Sequence, residues 1–282
     1  MNEPKVWTEV KAVLAEDPLD WSVWVEAFDR HGLPGTVQHD DPPALSAYVA
    51  PCDHSLIGPL TCELKSLGAT EVVTTDVVET DWAEAWKQFF KPRRIGQRLV
   101  VCPTWEAYDP APGDLVVTLD PGQAFGTGDH PTTRGCLEHL ERLGCQDKRV
   151  ADIGCGSGIL AVAAVLLGAA SVDAVDSDGS EVEATVTNAD LNGVKVGVAR
   201  GEGFAPLEGR EPYDLVLSNI ISAALIVLAP SASQFCAPGG HWIVSGIILA
   251  NWPDVDRAAT RAGFTLIENQ VIGEWVTATF RR

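Results

Sequence analysis

Several things are missing from this 282-residue chain, and each absence removes a class of protein. No basic start leads into an apolar run in Met1–Glu9, so no secretory signal is expected. Apolar stretches are short and broken by Gly, Asp or Pro, which excludes a membrane-spanning helix. The seven cysteines include no CxxC pair and are odd in number, which fits reduced thiols and a cytoplasmic setting better than a disulfide framework. Basic residues are scarce: 20 Lys and Arg face 39 Asp and Glu, a net charge of −19. Such a surface repels a phosphate backbone, so no broad grip on nucleic acid is expected, whereas a basic protein would be attracted. Internal repeats and low-complexity tracts are absent, and no His, Cys or acid spacing predicts a metal site. With 46% hydrophobic residues the chain has enough apolar mass for a real core.

Length and a change of character near residues 76–119 point to a small module followed by a larger one. The expected division is 1–75, a small α/β domain; 76–118, a linker and docking segment; and 119–282, the larger domain. In the small module the pattern predicts helices over Trp7–Leu14 and Trp21–Arg30 and strands over Ala44–Ala50 and Glu71–Val78, a composition compatible with a ferredoxin-like arrangement. Trp82, Trp86, Phe89 and Phe90 share one helical face within residues 81–90, a stripe that reads as a packing seam between the two modules. Strands are expected at Arg98–Val101 and Asp114–Leu119.

From Thr132 onward strands and helices alternate. A helix to Leu143 precedes strand Arg149–Ile153, a glycine turn, a helix through Leu167 and strand Ser171–Asp176. A helix capped at Ser180 follows, running to Asn192. Strands Val194–Val198, Tyr213–Ser218 and His241–Ser245 alternate with helices Ser222–Leu228 and Trp252–Ala262. Phe264–Gln270 and Trp275–Phe280 are expected to close the chain as a hairpin. The fold class is therefore α/β, a doubly wound, mostly parallel seven-stranded sheet with a terminal antiparallel hairpin.

The most informative stretch is Val150-Ala-Asp-Ile-Gly-Cys-Gly-Ser-Gly-Ile-Leu160, an apolar strand running into glycines and then a helix. Gly154, Gly156 and Gly158 give GxGxG, but the dinucleotide fingerprint needs a glycine where this chain has Ile159. A pyrophosphate seats as an anion on helix N–H groups. Adenosylmethionine has no phosphate and carries a sulfonium cation, so Asp152 at the strand end suits its charged amino-acid end. Asp176, 22 residues after Gly154, is placed to accept ribose hydroxyls, as an acid there does in nicotinamide enzymes too. For Asp178 helix capping is the preferred role. Cys155, between two glycines, reads as a small buried filler and not as a nucleophile.

Ahead of the sheet lies Asp120-Pro-Gly-Gln-Ala-Phe-Gly-Thr-Gly-Asp-His-Pro-Thr-Thr133, a glycine-rich loop with the features of a lid. His130 is the tempting general base there, and equally a structural hydrogen-bonding group. Ser218-Asn219-Ile220-Ile221 ends the fourth strand at the edge where open α/β sheets bind ligands, and lacks the Pro-Pro-aromatic that grips planar nitrogens. A flexible aliphatic amine is the expected acceptor, with Asn219 orienting it.

DPGQAFGTGDHPTT, followed at matching spacing by VADIGCGSGILAVAA, AVDSD and LVLSNI, resembles the family of ribosomal protein L11 methyltransferases (PrmA) over residues 81–282. Asp129 and the AVDSDGS ending depart from the family pattern, but neither removes a motif residue. The resemblance implies a class I methyltransferase fold and adenosylmethionine as cofactor. It implies contact with that cofactor at Thr133, Gly154, Asp176 and Asn219, with Phe125 and Gly126 nearby. The implied reaction is methylation of protein amino groups, at lysine side chains or an N-terminal amine, on a ribosomal protein chosen by the N-terminal domain. The competing readings are a protein-lysine methyltransferase of another target such as an electron-transfer flavoprotein, a noncatalytic adenosylmethionine-binding protein, and a nicotinamide-dependent oxidoreductase, which Ile159 disfavours.

Overall fold

The computed structural model describes residues 6–18, 21–33, 35–40, 42–78, 90–120, 128 and 130–282. The chain forms two compact units, Met1–Phe90 and Lys91–Arg282. Among the described residues no helix is long and apolar enough to cross a membrane.

The first unit runs β1 (Val6–Val13), α1 (Ser22–Arg30), β2 (Thr36–Asp40), β3 (Pro43–Val49), a 3₁₀ turn at Pro51–Leu56, α2 (Ile57–Ser66) and β4 (Glu71–Val78). Its antiparallel sheet has the order β2-β3-β1-β4, the β-α-β-β-α-β ferredoxin-like arrangement. The helix expected over Trp7–Leu14 is a strand. Thr8, Val10 and Ala12 are buried in alternation while Glu9 and Lys11 take the other face, a period of two. Antiparallel ladders to β3 on one side and β4 on the other satisfy its backbone, and this pairing overrides local helix propensity. Val10, Ala12, Leu45 and Ala47 meet Trp24, Phe28, Leu60 and Leu64 from the two helices in one core. Arg30 and His31 at the end of α1 both hold Glu63 of α2, with Arg30 Nε at 3.0 Å and His31 Nε2 at 2.8 Å, and they lower the Glu63 pKa. The docking helix expected over residues 81–90 lies, except for Phe90, outside the described residues.

In the second unit β5 (Arg93–Ile95), β6 (Leu99–Pro103) and β7 (Leu115–Leu119) make a three-stranded sheet, with β6 and β7 parallel. Then come α3 (Pro131–Leu143), β8 (Arg149–Ile153), α4 (Ile159–Leu166), β9 (Ser171–Asp176), α5 (Gly179–Leu191) and β10 (Gly197–Arg200). β11 (Tyr213–Asn219), α6 (Ser222–Phe235), β12 (Cys236–Ile248), α7 (Trp252–Arg261), β13 (Thr265–Ile272) and β14 (Trp275–Arg281) complete it. The seven-stranded sheet has the order β10-β9-β8-β11-β12-β14-β13, with β14 antiparallel to both neighbours and the rest parallel. This is the class I methyltransferase fold.

Alternation along the strands divides the interior into two layers. Val150, Leu215, Leu217 and Ile243 point to one face, where Leu137, Leu140 and the apolar α4 cover them together with Leu99, Val101, Val117 and Leu119 of the three-stranded sheet. Ala151, Val216 and Val244 point to the other, under Leu225 and Ala229 of α6 and Val255 of α7. Burial on both faces explains why β8 and β11 read as near-continuous apolar runs.

Two terminators differ from the sequence reading. Helix α6 continues past Leu228 through Pro230 to Phe235, because burial of Ala229 and Ala232 outweighs the hydrogen bond that proline removes. Helix α5 is capped by Asp178, the role preferred for it from the sequence, and not by Ser180: the Asp178 carboxylate accepts the Ser180 amide at 2.9 Å. Strand β10 starts three residues later and ends two residues later than the Val194–Val198 expected.

Candidate active site

At the carboxyl end of β8 the backbone reverses at Gly154, whose φ of 78° is open to glycine at little cost. A side chain there would also run into Ile220 Cγ2, so the turn can lie against the end of β11 only without one. Gly158, at φ 77°, is the N-cap of α4, and a Cβ on it would meet Thr185. The Gly154 amide donates to the Val175 carbonyl at 2.8 Å, tying the turn to β9. At the end of β9 the Asp176 carboxylate accepts the Gly156 amide at 3.0 Å through one oxygen and the Asp178 amide at 3.1 Å through the other. Each carboxylate oxygen retains further acceptor capacity, now in a fixed orientation.

Beside this turn opens a cleft of about 1060 Å³. Gly154, Gly156, Asp176 and Asn219 line it from the ends of three parallel strands, the position at which open α/β sheets bind ligands. Its apolar wall includes Ile153, Val175, Phe204, Val227 and Leu228, and Phe204 stacks on Phe235 with centroids 4.6 Å apart. The charged residues of the lining are all acids: Asp176, Asp178, Glu181, Glu202 and Glu208. Lys, Arg and His are absent from the lining among the described residues.

Asn219 ends β11 and donates from Nδ2 to Thr133 Oγ1 at 3.3 Å. Its Oδ1 is buried without a hydrogen-bond partner among the described residues, an acceptor left open at the cleft. Thr133 is fully buried in the first turn of α3. Asp152, one residue before the end of β8, is 0% exposed, and neither carboxylate oxygen has a partner within hydrogen-bonding geometry among the described residues. Burial pushes its pKa up to about 7; the Ala161 amide opposes the rise and the charge of Asp176 adds to it.

His130 is the N-cap of α3: its Nδ1 lies 2.7 Å from Thr132 Oγ1 and accepts the Thr132 amide at 3.4 Å. Its ring packs edge-on to Trp275 with centroids 4.8 Å apart, and burial lowers its pKa. Cys155 is buried and its thiol is pushed far up by burial, which suits a filler and not a nucleophile.

The structure thus gathers Gly154, Gly156, Asp176 and Asn219 around one cleft, with Thr133 touching Asn219. Asp152 lies behind the turn, outside the cleft lining. Phe125 and Gly126 lie outside the described residues. The wall formed by Glu202, Phe204 and α6 was missed in the sequence, although Gly201 and Gly203 directly after β10 repeat the signal of a glycine turn at a strand end.

Comparison with known proteins accords with this geometry. A family model, ribosomal protein L11 methyltransferase (PrmA), matches residues 25–282. The ribosomal protein L11 methyltransferase of Exiguobacterium sp. is 38% identical over 274 residues, covering 94% of this chain and 85% of the relative. That of Geobacter sulfurreducens is 46% identical over 207 residues, 73% of this chain and 68% of the relative. Among solved structures, a ribosomal protein L11 methylase from Lactobacillus delbrueckii subsp. bulgaricus superimposes with a TM-score of 0.64 at 32% identity, covering 68% of this chain and 99% of that one. On the match of sequence, fold and site, the chain belongs to the ribosomal protein L11 methyltransferase family.

Proposed function

We propose that this protein transfers methyl groups from S-adenosylmethionine to amino groups of a basic protein, a large-subunit ribosomal protein, at lysine side chains, an N-terminal amine, or both. The observation that carries the reading is the Asn219 side chain at the strand end, fixed through Nδ2 by Thr133 and with Oδ1 open. The residues of the cleft fit the cofactor's chemistry. A lining whose charges are all negative, with the buried Asp152 carboxylate behind the glycine turn, suits a ligand bearing an ammonium and a sulfonium and disfavours a pyrophosphate. Asp176 would accept the ribose hydroxyls, Gly154 and Gly156 would let the backbone approach, and the slot beside Phe204 would take the adenine. Asp152 would act on the charged amino-acid end from behind the glycine turn, through its charge and not by direct contact, and Phe125 and Gly126 are assigned to the cofactor by the sequence resemblance.

Bound there, adenosylmethionine supplies an electrophilic methyl group on a sulfonium. The chain's part is to orient the acceptor and keep water away. The acceptor nitrogen must be neutral to attack; a lysine amine loses its proton near pH ~10.4 and an N-terminal amine near ~7.8, so the latter is the easier substrate. Asn219 Oδ1 would accept one N–H of that amine and aim its lone pair. The exposed apolar Ile221 beside it, 71% accessible, offers a surface for the aliphatic stem of a lysine.

In the same proposal residues 1–75 choose the substrate, residues 76–118 link and dock, and residues 119–282 carry out the transfer in the cytoplasm without a direct grip on nucleic acid. The net charge of −19 supports attraction to a basic partner. The names of the relatives favour ribosomal protein L11 over other lysine-bearing targets. The test is incubation with labelled adenosylmethionine and ribosomal proteins, followed by mass spectrometry of the labelled species. Label on L11 amines is expected; label on another protein alone would remove the substrate assignment, and none at all would remove the transfer reaction.

A further inference from the structure

Helix α5 and its C-cap carry three polar side chains on one face, Thr185, Asn188 and Asn192, at the i, i+3, i+7 spacing that aligns residues along a helix. Thr185 is fully buried and Asn188 is 1% exposed. Buried amides and hydroxyls persist where their hydrogen bonds are made, and these are. Thr185 donates to the Gly156 carbonyl at 2.8 Å. Asn188 donates to the Ser157 carbonyl at 2.8 Å and to the Asp120 carbonyl at 3.3 Å, while its Oδ1 accepts the Asp120 amide at 2.9 Å. Asn192 makes the corresponding pair with Thr118 of β7, accepting its amide at 2.8 Å and donating to its carbonyl at 2.6 Å.

Of the three, Asn188 touches both the glycine turn, at Ser157, and Asp120, the residue that follows β7. Its amide has three polar partners, two on Asp120 and one on Ser157, so moving either segment breaks a bond to the other. We infer that Asn188 is a positioning residue for the methyl-transfer site: it locks the glycine turn and the end of β7 at Asp120 into one frame, and cofactor affinity depends on that frame. The inference rests on the adenosylmethionine reading of the cleft.

Asn192 provides the internal control, because it clamps β7 with the same two kinds of bond and makes none to the glycine turn. The experiment is calorimetric titration of adenosylmethionine into the intact wild-type protein, Asn188→Ala and Asn192→Ala, with a melting curve for each. Both substitutions remove hydrogen bonds that are at least partly buried and lower the melting temperature. Asn188→Ala is expected to weaken adenosylmethionine at least tenfold and at least five times more than Asn192→Ala; a smaller ratio overturns the inference, since Asn188 would then be structural in the same sense as Asn192. A wild-type protein that binds no adenosylmethionine overturns the cofactor reading itself and this inference with it. Should Asn188→Ala not fold, amide exchange in the wild type decides: adenosylmethionine is expected to slow exchange at Asp120 at least tenfold more than at Thr118, and equal responses overturn the coupling.

Discussion

The four-stranded and the seven-stranded sheet of this protein differ in what their ends can do. In the four-stranded antiparallel sheet, neighbouring strands run in opposite directions, so their carboxyl ends alternate between two edges. In the parallel part of the seven-stranded sheet, β8, β9 and β11 all end at one edge, and each delivers a different group there: a glycine turn at Gly154, a carboxylate at Asp176 and an amide at Asn219. Convergence of strand ends builds a site, whereas alternation builds a surface. The chemistry is therefore expected to respond to changes at the parallel edge, and recognition to changes in the first unit.

The sharpest way to break this division is Asn219→Ala. Loss of an amine-orienting group is expected to lower kcat by about 10²–10³, roughly 3–4 kcal/mol at the transition state, by analogy with removal of a preorganised polar contact. Adenosylmethionine affinity is expected to change less than threefold, as measured by calorimetry beside single-turnover rates. An unchanged kcat would remove Asn219 from the chemistry.

Asp152→Asn carries two effects of opposite sign. With its pKa raised to about 7, the folded chain keeps a proton on Asp152 that the unfolded chain has lost from about pH 4 upward. The stability due to this group is whole below pH ~4 and is lost as pH rises through 7. The cofactor-free Asn variant is thus expected to gain stability over wild type between pH 4 and 7 and to hold an advantage of about 4 kcal/mol above it. At pH 8 it is expected to bind adenosylmethionine more weakly, having no negative charge to offer the cation. Melting curves across pH, with and without cofactor, separate the two effects, and equal stability of the variant and wild type at pH 8 would contradict the buried charge. Gly154→Ala follows in size: strain at positive φ and the encounter with Ile220 are expected to cost about 1–3 kcal/mol in melting experiments and to weaken cofactor binding about tenfold.

The same contrast explains what could be read from the residues. β8 and β9 match the reading to the residue, because an apolar run buried on both faces and bounded by polar or glycine residues has one register. β1 did not, because Trp7–Leu14 has no turn signal inside it and its period of two is blurred by Val13 and Leu14. Helix α2 was missed because Gly58 and Pro59 look like breakers, although proline in a first turn gives up only an amide that no helix carbonyl would have taken. In the site, Gly154, Asp176 and Asn219 were legible from their places at predicted strand ends. The bridge from Asn188 to Asp120 and Ser157 was not, since it spans 68 residues in one direction and 31 in the other and no local pattern encodes it.

Charge offers the mildest test of the comparison. Residues 1–90 hold sixteen acids against five bases, while residues 91–282 hold twenty-three against fifteen. The first unit is thus the more acidic for its size, and if it receives a basic protein, the attraction acts largely through solvent, where a Debye length of ~8 Å at physiological ionic strength shrinks to ~3 Å at 1 M. Raising salt from about 0.05 to 0.5 M is expected to increase KM for the protein substrate about three- to tenfold, close to 1 kcal/mol, as encounter steering fades. KM for adenosylmethionine is expected to move less than twofold, because Asp152 is screened by protein on all sides and feels bulk ions weakly. Steady-state kinetics with each substrate varied in turn reads both numbers. A parallel rise in the two would mean that cofactor and protein answer to the same acidic field around the cleft, and the separation between a recognising surface and a reacting edge would fail. A flat KM for the protein would keep the reacting edge and transfer recognition to shape and apolar contact.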